Sequence, residues 1–234
     1  MDQAMREAAA GWLAEAVETG NPLAPLPAEA APRTVSEGAR IAALVLERLG
    51  MVPCGLRLAP GPGARMVPGP VLETRLLPDG ANIALATLRH PTVAPAVLGV
   101  LAEDLPRRGE APPVFASLHP LLDIAAWRLR DPPTTAALAT ADLGGLGLLV
   151  AGRAKRMAPA PLPLVFGPAG TRRRGNQVDV PGALQQAALA ARRAGGLPQG
   201  AVLVAVLGPA LVPAPGTELL ASFGALGRVR AHFT

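Results

Sequence analysis

His90–Arg128 reads HPTVAPAVLGVLAEDLPRRGEAPPVFASLHPLLDIAAWR, and its two halves decide the fold. From His90 to Val100 the run is apolar almost without a break and β-branched at Thr92, Val93 and Val97, the pattern of a strand buried on both faces. Pro95 falls inside it. Proline donates nothing to a ladder, so a bulge or an edge position is expected there. EDLPRRGEAPP follows as a loop. VFASL (Val114–Leu118) predicts the partner strand, and His119–Arg128 leaves from its end.

Upstream, Met5, Ala9, Trp12, Leu13, Ala16 and Val17 recur at helical spacing, which predicts a helix over about Asp2–Val17, stopped by Gly20 and Pro22. PLAPLPAEAAP is a Pro-rich connector. Thr34-x-x-Glu37 is a capping box that opens a second helix, Ser36–Leu49, with Ile41, Leu44, Val45 and Leu49 on one face. CGLRLA (Cys54–Ala59) is a short strand, and Pro78-Asp79-Gly80 is turn chemistry leading into another. Downstream, strands are expected over Gly147–Ala151 and Ala201–Val206, a loop at RRRGNQ, and a helix over Pro181–Ala194 with proline near its first position.

The chain has 234 residues and is half hydrophobic, enough to bury one sizeable core, and no linker divides it. The formal charge is +5, and arginine supplies almost all the basic side chains because Lys155 is the only lysine. Together with the abundance of Ala, Pro and Gly this composition reads first as GC-rich coding, and second as a preference for an anionic partner. With four Phe, two Trp and no Tyr, stacking surfaces for bases are scarce, so nucleic acid is not expected as a partner. One cysteine, Cys54, excludes a disulfide framework. The longest uncharged run is broken by prolines and glycines, so no membrane span is expected, and a cytoplasmic protein is.

HPTVAPAV and HPLLDIAAWR resemble two strands of the fumarylacetoacetate hydrolase superfamily, in its 2-keto-4-pentenoate hydratase branch. There they run approximately R-P-x-V-E-A-E-I and H-P-A-L-E-I-V-D-S-R. The likeness extends along the chain. It includes TGNPLAPLP after the first helix, Gly69 and Pro70 in MVPGPVL, Asp142, Gly147 and Gly152 in ADLGGLGLLVAG, and Gly224, Leu226 and Gly227 in the closing FGALGRV. The resemblance implies an α+β, mostly β fold, a mixed β-roll over residues 53–234 preceded by a helical region over 1–52. It also implies a Mg²⁺ or Mn²⁺ ion held by three glutamates, chemistry on a small 2-keto acid, and oligomers of like or related subunits.

The polar positions of that pattern have changed together. The two strand glutamates are Ala94 and Ala96, and the third is the shorter Asp123. Arg57 stands at the family lysine, Val67 at a loop aspartate, and Leu143, Gly145 and Leu146 at an Asn-Ser-Ser set. The glycines and apolar positions that build the fold are retained. The expectation is therefore a hydratase-like fold whose metal site is erased: no metal at Ala94, Ala96 and Asp123, and a scaffold or partner subunit, or a binder of a small carboxylate through Arg57. The alternative is an active hydratase, decarboxylase or hydrolase with a divergent site. The candidates for catalysis are Arg57, Asp123, His119 and Asp142. Each also has a structural reading: Arg57 in an ion pair with Asp123 or Asp142, Asp123 as a hydrogen-bonded acid, Asp142 as a loop cap, and His90 and His119, both before prolines, as turn residues. Cys54 reads as a buried small apolar side chain, Lys155 as exposed, and Arg172–Arg174 as a solvated loop or an anion site.

Overall fold

The computed structural model describes residues 2–171 and 173–234. In chain order the elements are α1 (Gln3–Thr19), α2 (Val35–Arg48), β1 (Gly55–Pro60), β2 (Met66–Val71), β3 (Leu76–Pro78), β4 (Ala81–Ile83), β5 (Thr92–Leu101), β6 (Phe115–Ala125), α3 (Ala136–Ala141), β7 (Leu148–Ala151), β8 (Leu162–Pro168), β9 (Asn176–Val178), α4 (Val180–Arg193), β10 (Val202–Val206), β11 (Thr217–Ser222) and β12 (Arg228–Phe233). The expected helices and strands are present. The differences include α3, β8 and β9, which no periodicity announces; β9 takes Asn176 and Gln177 from the end of the expected RRRGNQ loop. β6 also runs on through His119-Pro120 to Ala125, so His119 is a strand residue and not a turn residue.

The strands form two mixed sheets, ordered β2-β1-β10-β5-β6-β7-β3 and β4-β12-β11-β8-β9. β1 runs parallel to β10, β3 to β7 and β4 to β12, and the other pairings are antiparallel. Between the sheets lies the main core, which includes Leu118, Leu122, Ile124, Val150, Phe223 and Phe233. α4 has Leu184, Ala187, Ala188 and Ala191 in the same core and packs on β10 and β1. On the opposite face of the large sheet, a second cluster gathers Ala59, Ala94, Ala96, Leu98, Leu121, Leu149 and Val204. α1 and α2 share a third cluster with Leu72, Ala141, Leu143 and Leu146. Thr34 and Glu37 make both bonds of the capping box. The hydrogen bond from the Arg33 amide, above all, holds the exposed Glu37 carboxyl below its usual range.

Pro95 is accommodated differently from the expectation. β5 is interior, flanked by β10 and β6, and its register shift falls between Val100 and Leu101. The Pro95 carbonyl accepts from Leu207 N, but proline has no N–H to return. The β5–β10 ladder ends one residue earlier, at Ala96 and Val206. The chain then loops out and pairs again where Leu211 and Val93 exchange both bonds. The missing donor thus sets where β10 stops, and the loop it releases, Gly208 to Ala210, borders the candidate site.

Candidate functional site

Ala94 and Asp123 are direct partners across the antiparallel β5–β6 ladder, so their side chains share one face. Ala96, two residues along β5, faces the same way opposite Leu121. Arg57 sits three strands away, since β10 and β5 lie between β1 and β6. In a flat sheet three steps are roughly 14 Å, beyond the reach of an arginine. Yet Arg57 Nε and Nη2 donate to Asp123 Oδ1 and Oδ2, both at 2.5 Å. The sheet therefore coils until this face closes on itself, and Arg57 crosses the interior.

The third guanidinium nitrogen of Arg57, Nη1, donates to the Gly144 carbonyl at 2.6 Å. That carbonyl is aimed inward by three successive left-handed residues, Leu143, Gly144 and Gly145. Glycine is required at Gly144, where a Cβ would come within 2.7 Å of Gly69 Cα, and its φ of +63° would strain other residues. Arg57 and Asp123 are 5 % and 3 % exposed, so this is a buried pair with every guanidinium nitrogen and both carboxylate oxygens engaged. Beside it is a cavity of about 130 Å³, bordered by Thr92, Ala94, Ala125, Trp127 and Gly144. Ala96 does not border it. Ala96 is fully buried in the apolar cluster with Leu98, Leu121 and Val204.

Asp142 belongs to a separate polar node. Arg128, just beyond β6, donates from Nε to Asp142 Oδ1 at 2.5 Å, from its backbone N to Oδ2 at 3.0 Å, and from Nη2 to the Asp142 carbonyl at 2.5 Å. Its Nη1 donates to the Leu146 carbonyl. Burial pushes the Asp142 carboxyl up, while the Arg128 charge and hydrogen bonds pull it down. The node ties the end of β6 to the turn between α3 and β7. Of the two partners open to Arg57 in the sequence, Asp123 is the one it takes.

The remaining candidates lie elsewhere. His119 is on the face of Asp123 but four residues back along β6, roughly 13 Å. Its Nδ1 donates to the Gly152 carbonyl at 2.9 Å. His90 adopts φ +47° and its Nε2 donates to the Arg130 carbonyl at 2.6 Å. Cys54 is half-buried, not buried. Desolvation raises its thiol above the usual range, and Sγ donates to Val71 O. Lys155, Arg173 and Arg174 are exposed, and Arg172 lies outside the described residues. Gly144 and Trp127 were not singled out in the sequence. The signal was present for Trp127, which replaces a small polar residue at the end of a strand motif.

No family model matches the sequence, and no curated protein sequence does. Solved structures do match. 4-Oxalocrotonate decarboxylase from Pseudomonas putida G7, in complex with magnesium and adipate, superposes with a TM-score of 0.83, covering 100 % of this chain and 99 % of that chain at 16 % identity. The fold is that of the fumarylacetoacetate hydrolase superfamily. Two further structures share it in part. 2-Hydroxyhepta-2,4-diene-1,7-dioate isomerase from Mycobacterium marinum matches with TM-score 0.56 at 11 % identity, covering 79 % of this chain and 75 % of that one. 5-Carboxymethyl-2-hydroxymuconate delta-isomerase from Mycobacterium smegmatis gives 0.57 at 9 %, covering 79 % and 78 %. The fumarylacetoacetate hydrolase fold thus carries both N-terminal helices and the β-roll here. Among the described residues no group of three or more His, Cys, Asp or Glu side chains is placed to hold a metal. No helix among them is long and apolar enough to cross a membrane.

Proposed function

We propose that this chain is a non-catalytic relative of the hydratase- and decarboxylase-type enzymes, and serves as a partner or scaffold subunit for a second copy or a related enzyme. One observation carries this. Asp123, the carboxylate left at the family's ligand positions, has both oxygens bound by Arg57. Mg²⁺ asks for near-octahedral oxygen donors and parts reluctantly with its waters. Ala94 and Ala96 offer no donor, Asp123 has no free oxygen, and a fixed guanidinium opposes a dication. The residues present do not fit the ion, so no catalytic step is assigned through it.

The same bonds bear on Arg57 as a substrate group. All three of its nitrogens are taken by protein acceptors, so a ligand carboxylate would have to displace Asp123 from a bidentate, desolvated pair. The cavity of about 130 Å³ is also well below the roughly 300–1,000 Å³ of ordinary ligand pockets. The role proposed for Arg57 is structural: it neutralises Asp123 and fastens the Leu143–Gly145 turn over the site. The test is a turnover assay with Mg²⁺ or Mn²⁺, using 4-oxalocrotonate and a 2-hydroxydienoate. No rate above buffer is expected from the wild type. Metal-dependent turnover that Asp123→Asn abolishes would restore the enzyme reading.

A further inference from the structure

A second cleft, of about 290 Å³, lies between the C-terminal end of α1 and the segments after β2 and β4. Of the residues bordering it and those bordering the Arg57–Asp123 cavity, only Trp127 is shared. Its charged lining is all cationic: Arg75, Arg89 and Arg128. Behind it lies one carboxylate, Asp142, and Arg128 already holds that. Three guanidinium charges less one carboxylate leave two unopposed, those of Arg75 and Arg89.

Arg89 spends one long bond, Nη2 to the Gly20 carbonyl at 3.4 Å. Arg75 is half-buried, and its side chain makes no hydrogen bond or ion pair among the described residues, while its backbone N donates to Leu72 O. Desolvation and then the neighbouring Arg128 charge both act against the Arg75 cation. The end of α1 contributes about half a negative charge, carried by its last carbonyls, less than the two guanidinium groups it faces. A half-buried guanidinium without a protein acceptor is left to water, and a bound anion would pair it more strongly. Guanidinium forks match carboxylate and phosphate oxygens in pairs.

We propose that this cleft binds a small doubly charged oxyanion, a phosphate or a short dicarboxylate, between Arg75 and Arg89. The site does not depend on whether the Arg57–Asp123 cavity is catalytic. Trp127 reports on it, and Trp12→Phe leaves Trp127 as the sole tryptophan. In that background the full chain is titrated in low-chloride buffer with inorganic phosphate and, separately, with succinate. Fluorescence is followed alongside calorimetry, which also reads binding that leaves the emission unchanged.

Saturable binding of one or both anions is expected, weakening as salt is added. Arg75→Gln should lower the affinity about tenfold or more, because it removes charge-assisted bonds. That substitution keeps the length of the stem nearly intact and breaks no side-chain hydrogen bond or ion pair within the described residues, so the fold should survive it. Arg173→Gln, on the exposed loop, should leave the affinity unchanged. Binding of phosphate alone assigns the site to phosphate, and binding of succinate alone assigns it to dicarboxylates. No saturable binding of either up to about 10 mM, or binding that Arg75→Gln does not weaken, would overturn the proposal.

Discussion

Asp123→Ala is expected to destabilise the protein by about 3–5 kcal/mol, read from denaturant midpoints at constant m-value. The substitution leaves the Arg57 guanidinium almost wholly buried, with Gly144 O as its one remaining acceptor. Most of the loss is the penalty of an uncompensated charge and only a part is the worth of the pair. The distinction can be measured. Arg57→Met combined with Asp123→Leu removes both charges and refills the space with apolar atoms, and such swaps are often neutral or stabilising. The double variant should therefore be markedly more stable than Asp123→Ala and close to the wild type. If instead Asp123→Ala costs less than about 1 kcal/mol, the pair is not the desolvated unit described here.

Ala96→Glu should be still less tolerated, on the order of 5 kcal/mol at pH 8. Ala96 is fully buried against Leu98, Leu121 and Val204, so the new side chain overpacks the cluster at about 1–3 kcal/mol. Its carboxyl would sit in apolar surroundings, where a glutamate pKa can rise from about 4.3 to 8 or 9. A carboxyl raised in the folded state binds a proton there that the unfolded chain has already lost. Stability must then fall as pH climbs from the unfolded value towards the folded one, at about 1.4 kcal/mol per unit. At pH 4 only the overpacking should remain. Ala94→Glu is expected to be milder, because Ala94 borders the cavity beside Arg57. On the proposed reading, restoring the family's carboxylates would take more than two substitutions, because Ala96 is packed over and Arg57 holds Asp123. A pH-independent, small effect of Ala96→Glu would contradict this picture of the face.

Much of this was legible before the structure, and the remainder has physical reasons. α2 followed from Ile41 and Val45 at helical spacing and from the Thr34–Glu37 box, all local signals. β5 followed from its unbroken apolar run. α3 did not, because AALATA is too short to show a period and forms against α2, largely through tertiary contact. His119 was misplaced by the turn habit of residues before proline, whereas here the strand's pairing on both sides carries it through Pro120. That Ala94, Ala96 and Asp123 share one face follows from the strand pairing, while their match to ligand positions is what the family resemblance implies. The partner of Arg57 narrows in the sequence only to Asp123 or Asp142, because Asp123 comes within reach only when the seven-stranded sheet coils. The cleft of Arg75, Arg89 and Arg128 likewise gathers side chains spread over more than fifty residues of sequence, and no local pattern marks them.

On the proposed reading the fold keeps its frame, and an internal ion pair stands where the family holds its metal. Calorimetric titration of the wild-type protein with Mn²⁺ at neutral pH, with thermal unfolding followed in parallel, tests this most directly. No saturable heat and no shift in Tm are expected up to about 1 mM Mn²⁺, where a specific site would add stability by mass action. One-to-one binding in the micromolar range, with a rise in Tm that Asp123→Asn removes, would contradict it.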